Sequence, residues 1–199
     1  MIGAGSWGIA LSVLLHNNGH DITVWSALKE EIEMLTREHE HKEKLPGVKL
    51  AEEIVFTTVL AEAVRDKDIL VLAVPSSFTR ATAHNMKDLV AEGQIVVNVA
   101  KGIEESSLMT LSQVIEDEIP QADVAVLSGP SHAEEVGKCI PLIASFYQCT
   151  CAICLHCICQ LSGLFLYLSL SCRIVIYPLC CVQNCFKFTP GYRCIKQFI

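Results

Sequence analysis

Gly3-Ala4-Gly5-Ser6-Trp7-Gly8 sets three glycines at G-x-G-x-x-G spacing. That spacing suits a strand turning sharply into a helix beneath a dinucleotide pyrophosphate. The first glycine permits the turn, the second leaves room for the phosphates, and the third lets helix and strand pack closely. The helix N-terminus then offers N–H groups and a positive dipole end to the anion. Glycine triplets are common, and a plain structural turn is the competing reading. The context favours a ligand. Ala10, Leu11, Leu14 and Leu15 follow at helical spacing, Asn18-Gly19 stops the helix, and Ile22-Thr23-Val24-Trp25 reads as the next strand.

Three further segments could meet an anion. They are Pro75-Ser76-Ser77, Asn98-Val99-Ala100-Lys101-Gly102 and Ser128-Gly129-Pro130-Ser131-His132-Ala133. Lys101 in an acidic region is a reasonable anion contact, set against the reading of an ordinary surface lysine. Ser128-Gly129-Pro130-Ser131 is a plain turn, or a set of hydroxyls and backbone N–H groups presented to a phosphate.

The elements that must position these segments alternate strand and helix from Met1 to about Pro141. Met1-Ile2 is all there is of a first strand. Strands are expected at Asp21–Trp25, Ile54–Thr57, Asp68–Val74, Ile95–Val99 and Asp123–Leu127. Helices are expected over Leu28–His39, Leu60–Val64, Ser77–Val90 and Ser107–Glu118, with a loop at Leu45-Pro46-Gly47. Continuous apolar strands between amphipathic helices predict an α/β fold, a Rossmann-type doubly wound parallel sheet covered on both faces. Ligands of such sheets lie outside the carboxyl ends of the strands, where all four segments fall.

Composition divides the chain in two. All 22 acidic residues lie at or before Glu135, and all 11 cysteines fall between Cys139 and Cys194. An acid-free run of that length has a chance of roughly one in a thousand in ordinary sequence. Residues 1–141 carry a charge of −11 and the remainder +4, for −7 in all. The acidic part argues against a nucleic-acid surface. The N-terminus shows no signal peptide, and a cysteine-free enzyme-like domain fits the cytoplasm.

Residues 142–199 admit three readings. A stretch without Lys, Arg, Asp or Glu between Lys138 and Arg173 is long enough for a bilayer, but His156, Gln160 and many serines and cysteines make it a poor span. Cys151, Cys154 and Cys157, with His156 and Cys159 nearby, have a metal-like spacing that dense cysteines also meet by chance. A shifted reading frame explains the abrupt onset, the missing acids, the lost periodicity and the early end together. The expected organisation is therefore a dinucleotide-binding domain over 1–141 and an aberrant Cys-rich apolar tail, frame-shifted or disordered, over 142–199. A membrane span is not expected and no metal ligand is assigned.

Taken together, the segments resemble the NAD(P)-dependent glycerol-3-phosphate dehydrogenases of bacterial type. The matching stretches are Gly3–Gly8, Asn18-Gly19-His20-Asp21, Leu45-Pro46-Gly47-Val48, Ala73-Val74-Pro75-Ser76, Lys101-Gly102-Ile103-Glu104 and Ser128–Val136, in order and spacing. The resemblance covers about residues 1–141. It implies hydride transfer between sn-glycerol 3-phosphate and dihydroxyacetone phosphate, with NAD or NADP as cofactor. It implies cofactor contacts from Gly3, Gly5, Ser6, Trp7, Gly8, Pro75, Lys101 and Ala133, and substrate contacts from Lys101, Gly129 and Ser131. It also implies a homodimer for the intact enzyme.

The departures are as informative. The family's catalytic lysine sits in a G-x-x-K-N segment beyond the first domain. Residues 142–199 offer no such segment, and Lys187 in Phe186-Lys187-Phe188 is no substitute. No catalytic residue is assigned. The family's helical second domain is missing from these residues, so the sheet is expected to be truncated and the chain inactive. Strand two ends in Trp25-Ser26-Ala27, with neither the acid that favours NAD nor a base; Lys29 is close enough to help a 2′-phosphate but reads first as a solvated helix lysine. Two alternatives stand beside the enzyme reading: a non-catalytic nucleotide-binding module, and a membrane- or metal-linked protein if the tail is genuine.

Overall fold

The computed structural model describes residues 1–128 and 132–138, together with the backbone of three strands at 143–148, 165–170 and 173–176. Five short parallel strands form its centre: β1 (Thr23–Trp25), β2 (Val55–Thr57), β3 (Ile69–Leu72), β4 (Ile95–Asn98) and β5 (Asp123–Ser128). β1 pairs with β2, and β3, β4 and β5 pair in that order. Ile2 joins the two sets, bridging Trp25 on one side and Leu72 on the other. The order β2-β1-Ile2-β3-β4-β5 reverses direction at Ile2, which makes it the switch point of a doubly wound sheet. The stitches are backbone bonds: Ile2 N–H to the Val71 carbonyl (2.8 Å), Gly3 N–H to Trp25 (2.9 Å), Trp25 N–H to Met1 (2.9 Å) and Ala73 N–H to Ile2 (2.8 Å).

Among the described residues six helices accompany the strands: α1 (Ser6–Asn17), α2 (Lys29–Glu38), α3 (Leu60–Val64), α4 (Ser76–Met86), α5 (Leu111–Glu118) and α6 (Ala133–Gly137). The strands send alternate side chains to opposite faces. Val96 and Val124 pack with Leu70, Leu72, Met86 and Ile115 in one core. Their neighbours Val97 and Ala125 pack with Ile9, Leu11, Leu35 and Leu45 in the other. Two cores on two faces of one sheet are the double winding the sequence pattern predicts.

Local chemistry sets the ends. α1 is buried from Gly8 to Leu14, and Ser12 satisfies its hydroxyl there by donating to the Gly8 carbonyl at 2.8 Å. Asn18 and Gly19, the latter at φ 88°, close it. α2 is amphipathic and ends at His39 in the left-handed region. α5 starts at Leu111, later than the Ser107 expected, because Thr110 and Gln113 form a reciprocal capping box. Residues 103–110 instead fold back on themselves through an Ile103–Thr110 bridge. Gly137 packs α6 against the Leu45–Val48 loop, where an added Cβ would meet Val48 at 2.8 Å.

Beyond β5, the strands β6 (Ile143–Gln148), β7 (Phe165–Leu170) and β8 (Arg173–Ile176) extend the sheet. β6 runs antiparallel to β5, β7 parallel to β6, and β8 antiparallel to β7. The Cys151–Cys159 run lies outside the described residues. Among the described residues no helix is long and apolar enough to cross a membrane, and no cluster of His, Cys, Asp or Glu could hold a metal.

Candidate dinucleotide site

The carboxyl ends of the parallel strands form one edge of the sheet, and the glycine turn sits at its middle. Gly3 follows Ile2 at φ 115°, in the region that favours glycine, and an added Cβ would lie 2.8 Å from the Ala73 carbonyl. Gly8, one turn into α1, approaches so closely that a Cβ would lie 2.1 Å from the Gly3 oxygen. Gly5 differs from both: a Cβ there would meet nothing within 4 Å. It is the N-cap of α1 and supplies no side-chain cap, and no acid lies in the first turn. The first-turn N–H groups therefore face a space that an anionic group can occupy. Ser6 and Trp7 form that first turn. The Trp7 indole Nε1 is buried and without a hydrogen-bond partner.

Pro75 ends the extension of β3 and is the N-cap of α4. On the next strand, Asn98 is buried and holds the following turn, its amide donating to the Ala100 carbonyl (3.3 Å) and its oxygen accepting from the Ala100 N–H (3.2 Å). Lys101 is exposed just beyond. Gly102, at φ 121°, brings this turn within 3.3 Å of the Ser76 side chain, measured from the position of a Cβ. The segments carrying Pro75 and Lys101 are thus in contact at the strand edge. Ala133 is the first residue of α6 and faces the core. Gly129 and Ser131 lie outside the described residues.

A charged clamp fixes the Lys101 loop from behind. Arg80 on α4 donates in a fork to Glu104, at 2.8 and 2.9 Å, and to Asp117 (2.6 Å) and Glu118 (2.7 Å) on α5. Ser107 also donates to Glu104 at 2.5 Å. The Arg80 guanidinium, with Ser107 assisting, depresses the Glu104 carboxyl to about 2. A carboxyl depressed on folding stabilises the fold above its ordinary value, and that contribution disappears as pH falls toward the folded value. Arg80→Gln should therefore flatten the fall of melting temperature between pH 5 and pH 2, as followed by circular dichroism. Equal slopes for both proteins would show that the clamp does not operate in solution.

Several residues at this edge carry no sequence motif. Phe78 stands in the first turn of α4 with 60% of its surface exposed, and Leu28 and Val59 are exposed after β1 and β2. Apolar side chains at three strand ends suit a flat heteroaromatic ring. Lys29 is 81% exposed and pairs with Glu33 at 3.3 Å, the solvated helix lysine of the simpler reading.

Behind Ser26 lies a second network. Ser26 Oγ donates to Glu31 Oε2 at 2.5 Å, and His41 Nε2 approaches Glu31 Oε1 at 2.9 Å. Lys44 Nζ also donates to Glu31 Oε1. The Lys44 backbone N–H donates to His41 Nδ1 at 3.2 Å, which leaves the His41 proton on Nε2, directed at Glu31. Burial pushes the Glu31 carboxyl up, but the hydrogen bonds from Lys44, Ser26 and His41 outweigh it and hold the group below its ordinary value. A cleft lined by Arg65–Asp68, Leu89 and Ala91–Gln94 lies at the opposite, amino ends of β3 and β4, away from all these residues.

Residues 1–153 match the family described as NAD-dependent glycerol-3-phosphate dehydrogenase N-terminus. The chain is 63% identical over 141 residues to a glycerol-3-phosphate dehydrogenase [NAD(P)+] of Agathobacter rectalis, covering 71% of this chain and 42% of that protein. It is 51% identical over 158 residues to the enzyme of the same name from Fusobacterium nucleatum, covering 78% and 45%. The chain thus spans less than half the length of these relatives. Among solved structures, the glycerol-3-phosphate dehydrogenase of Coxiella burnetii superposes with a TM-score of 0.79 at 26% identity, over 84% of this chain and 52% of that one. A pyrroline-5-carboxylate reductase of the same organism shares the fold at a TM-score of 0.62 and 16% identity.

Proposed function

We propose, because this chain belongs to the NAD-dependent glycerol-3-phosphate dehydrogenase family, that its α/β domain binds a nicotinamide dinucleotide for hydride transfer between sn-glycerol 3-phosphate and dihydroxyacetone phosphate. The observation that carries the reading is the contrast within the glycine turn. Gly3 and Gly8 are closed in by backbone, whereas Gly5 faces open space at an uncapped helix N-terminus. A fold needs the first two for packing; only a ligand needs the third.

The nicotinamide supplies the hydride chemistry when bound. The chain's own residues bind and orient. First-turn N–H groups of α1 meet the pyrophosphate, with Ser6 and Trp7 beside it. Lys101, held by the Ser76 contact and the Arg80–Glu104 clamp, meets the substrate phosphate and the cofactor. Gly129, Ser131 and Ala133 complete the contacts that the family pattern implies. The family's acid/base lysine has no counterpart in residues 142–199, so residues 1–199 by themselves bind the dinucleotide without turnover. Cysteine is absent before Cys139, which fits a reducing cytoplasm.

The direct test is calorimetric titration of the 199-residue chain with NADH and NADPH. Saturable binding of at least one is expected; binding of neither would remove the reading. The substrate assignment is tested where residues 1–141 precede a family second domain. There Lys101→Ala should cost about 1.5–3 kcal/mol in kcat/KM, the scale of a charged hydrogen bond. Unchanged kcat and KM would discard Lys101 as a substrate contact.

A further inference from the structure

Residues 103–110 leave the strand edge as one small body closed on itself. The Glu104 N–H donates to the Met109 carbonyl at 2.9 Å, and the Leu108 N–H to the Glu104 carbonyl at 2.8 Å. Ile103 bridges Thr110, and the Ser107 hydroxyl donates to the Glu104 carboxylate at 2.5 Å. Groups tied this way move together. The body joins β4 through Gly102, at φ 121°, a backbone that glycine alone adopts at little cost. On the strand side of that joint, buried Asn98 holds Ala100 by two bonds. Lys101 stands between the fixed Ala100 and the joint.

Apolar packing does little to hold this body down. Of the ten residues 101–110, eight are exposed, Ile103 and Leu108 among them. The two that are partly covered are Glu104 and Met109. Both are residues that Arg80 reaches: its fork takes both Glu104 oxygens, and Nη2 lies 3.7 Å from the Met109 sulfur. Arg80 follows Ser76 by four residues, so the two share a face of α4. That face meets the loop at Gly102 and again at Glu104. Arg80 is itself held by Asp117 and Glu118 on α5. An exposed ion pair contributes little as a rule, but a planar fork within a network is the exception.

We propose that Arg80, which touches no ligand, is a positioning residue for Lys101: by fastening Glu104 and Met109 to α4 it stops the 103–110 body from swinging about Gly102. The inference rests on the dinucleotide reading above and deepens it, naming the residue on which one of its contacts depends. With the fork in place the Lys101 backbone is ordered before the dinucleotide arrives. Without it, the cost of ordering the loop falls on binding. The ligand then loses much of what Lys101 gives, while the glycine turn, on another element, still receives it.

The experiment is a double-mutant cycle on the full chain, titrated with whichever of NADH and NADPH the wild type binds more tightly. Arg80→Gln should weaken binding about fivefold in the wild-type background and less than twofold in Lys101→Ala, an interaction of the size neighbouring residues show. Glu104→Gln should follow the same pattern, and it decides the matter if Arg80→Gln fails to fold. A merely structural loss would weaken the dinucleotide equally with and without the Lys101 side chain. That equality would overturn this inference alone, as would unchanged affinity in Arg80→Gln or in Lys101→Ala. Binding of neither dinucleotide by wild type would overturn it together with the dinucleotide reading.

Discussion

Gly8→Ala should unfold the domain or come close to it. The added methyl would lie 2.1 Å from the Gly3 carbonyl oxygen and 3.4 Å from the Ala73 side chain. The near obstacle is backbone, and that backbone belongs to the residue stitched into the sheet through the Trp25 carbonyl. Neither side can give without breaking strand pairing. Overpacking in a core costs about 1–3 kcal/mol when side chains can adjust. Here they cannot, and a loss of at least about 3 kcal/mol is expected, a fall in melting temperature of roughly 10 °C. Thermal unfolding followed by circular dichroism is the measurement. A melting temperature within 2–3 °C of wild type, on the same scale, would mean that α1 does not pack on the turn as described.

Gly5→Val should do the reverse, sparing the fold and removing the ligand. Gly5 has φ −65° and ψ 172°, an extended conformation that valine adopts readily. Its new side chain would meet no protein atom near its Cβ. It would stand instead where the pyrophosphate approaches the helix end. NADH and NADPH affinity should fall about 100-fold or more, equal to about 2.7 kcal/mol, with the melting temperature of the free protein unchanged. Equal affinity in both proteins would place the ligand elsewhere.

Read as a pair, these glycines show which parts of the site were legible in sequence. The turn was legible because a tight bend, a close approach and an open helix end are local, and each demands glycine at a fixed offset. Where the strands end was legible in part for the same reason: Pro75 and Lys101 stand just after apolar runs. The start of α5 was not. Leu108, Met109, Leu111, Val114 and Ile115 read as one amphipathic run, yet Leu108 takes φ 57° and Thr110 begins the helix. The Thr-x-x-Gln capping signal outranked periodicity. Nor was the Ser26–Glu31–His41–Lys44 network legible, because its members come from a strand end, a helix and a loop. Pattern alone made Glu31 one more acid on a charged helix, while its burial follows from how α2 rolls Ile32 and Leu35 onto the sheet.

Ile2 has a consequence for how the molecule responds to load. Among the described residues, β1–β2 and β3–β5 are joined through the backbone of Met1, Ile2 and Gly3, a seam barely one residue wide. The same residues open the turn proposed to carry the dinucleotide. A dinucleotide bound across that turn would touch both sides of the seam. It would act as a rivet, closing the weakest line in the sheet, so that the cofactor becomes a mechanical part of the protein that holds it.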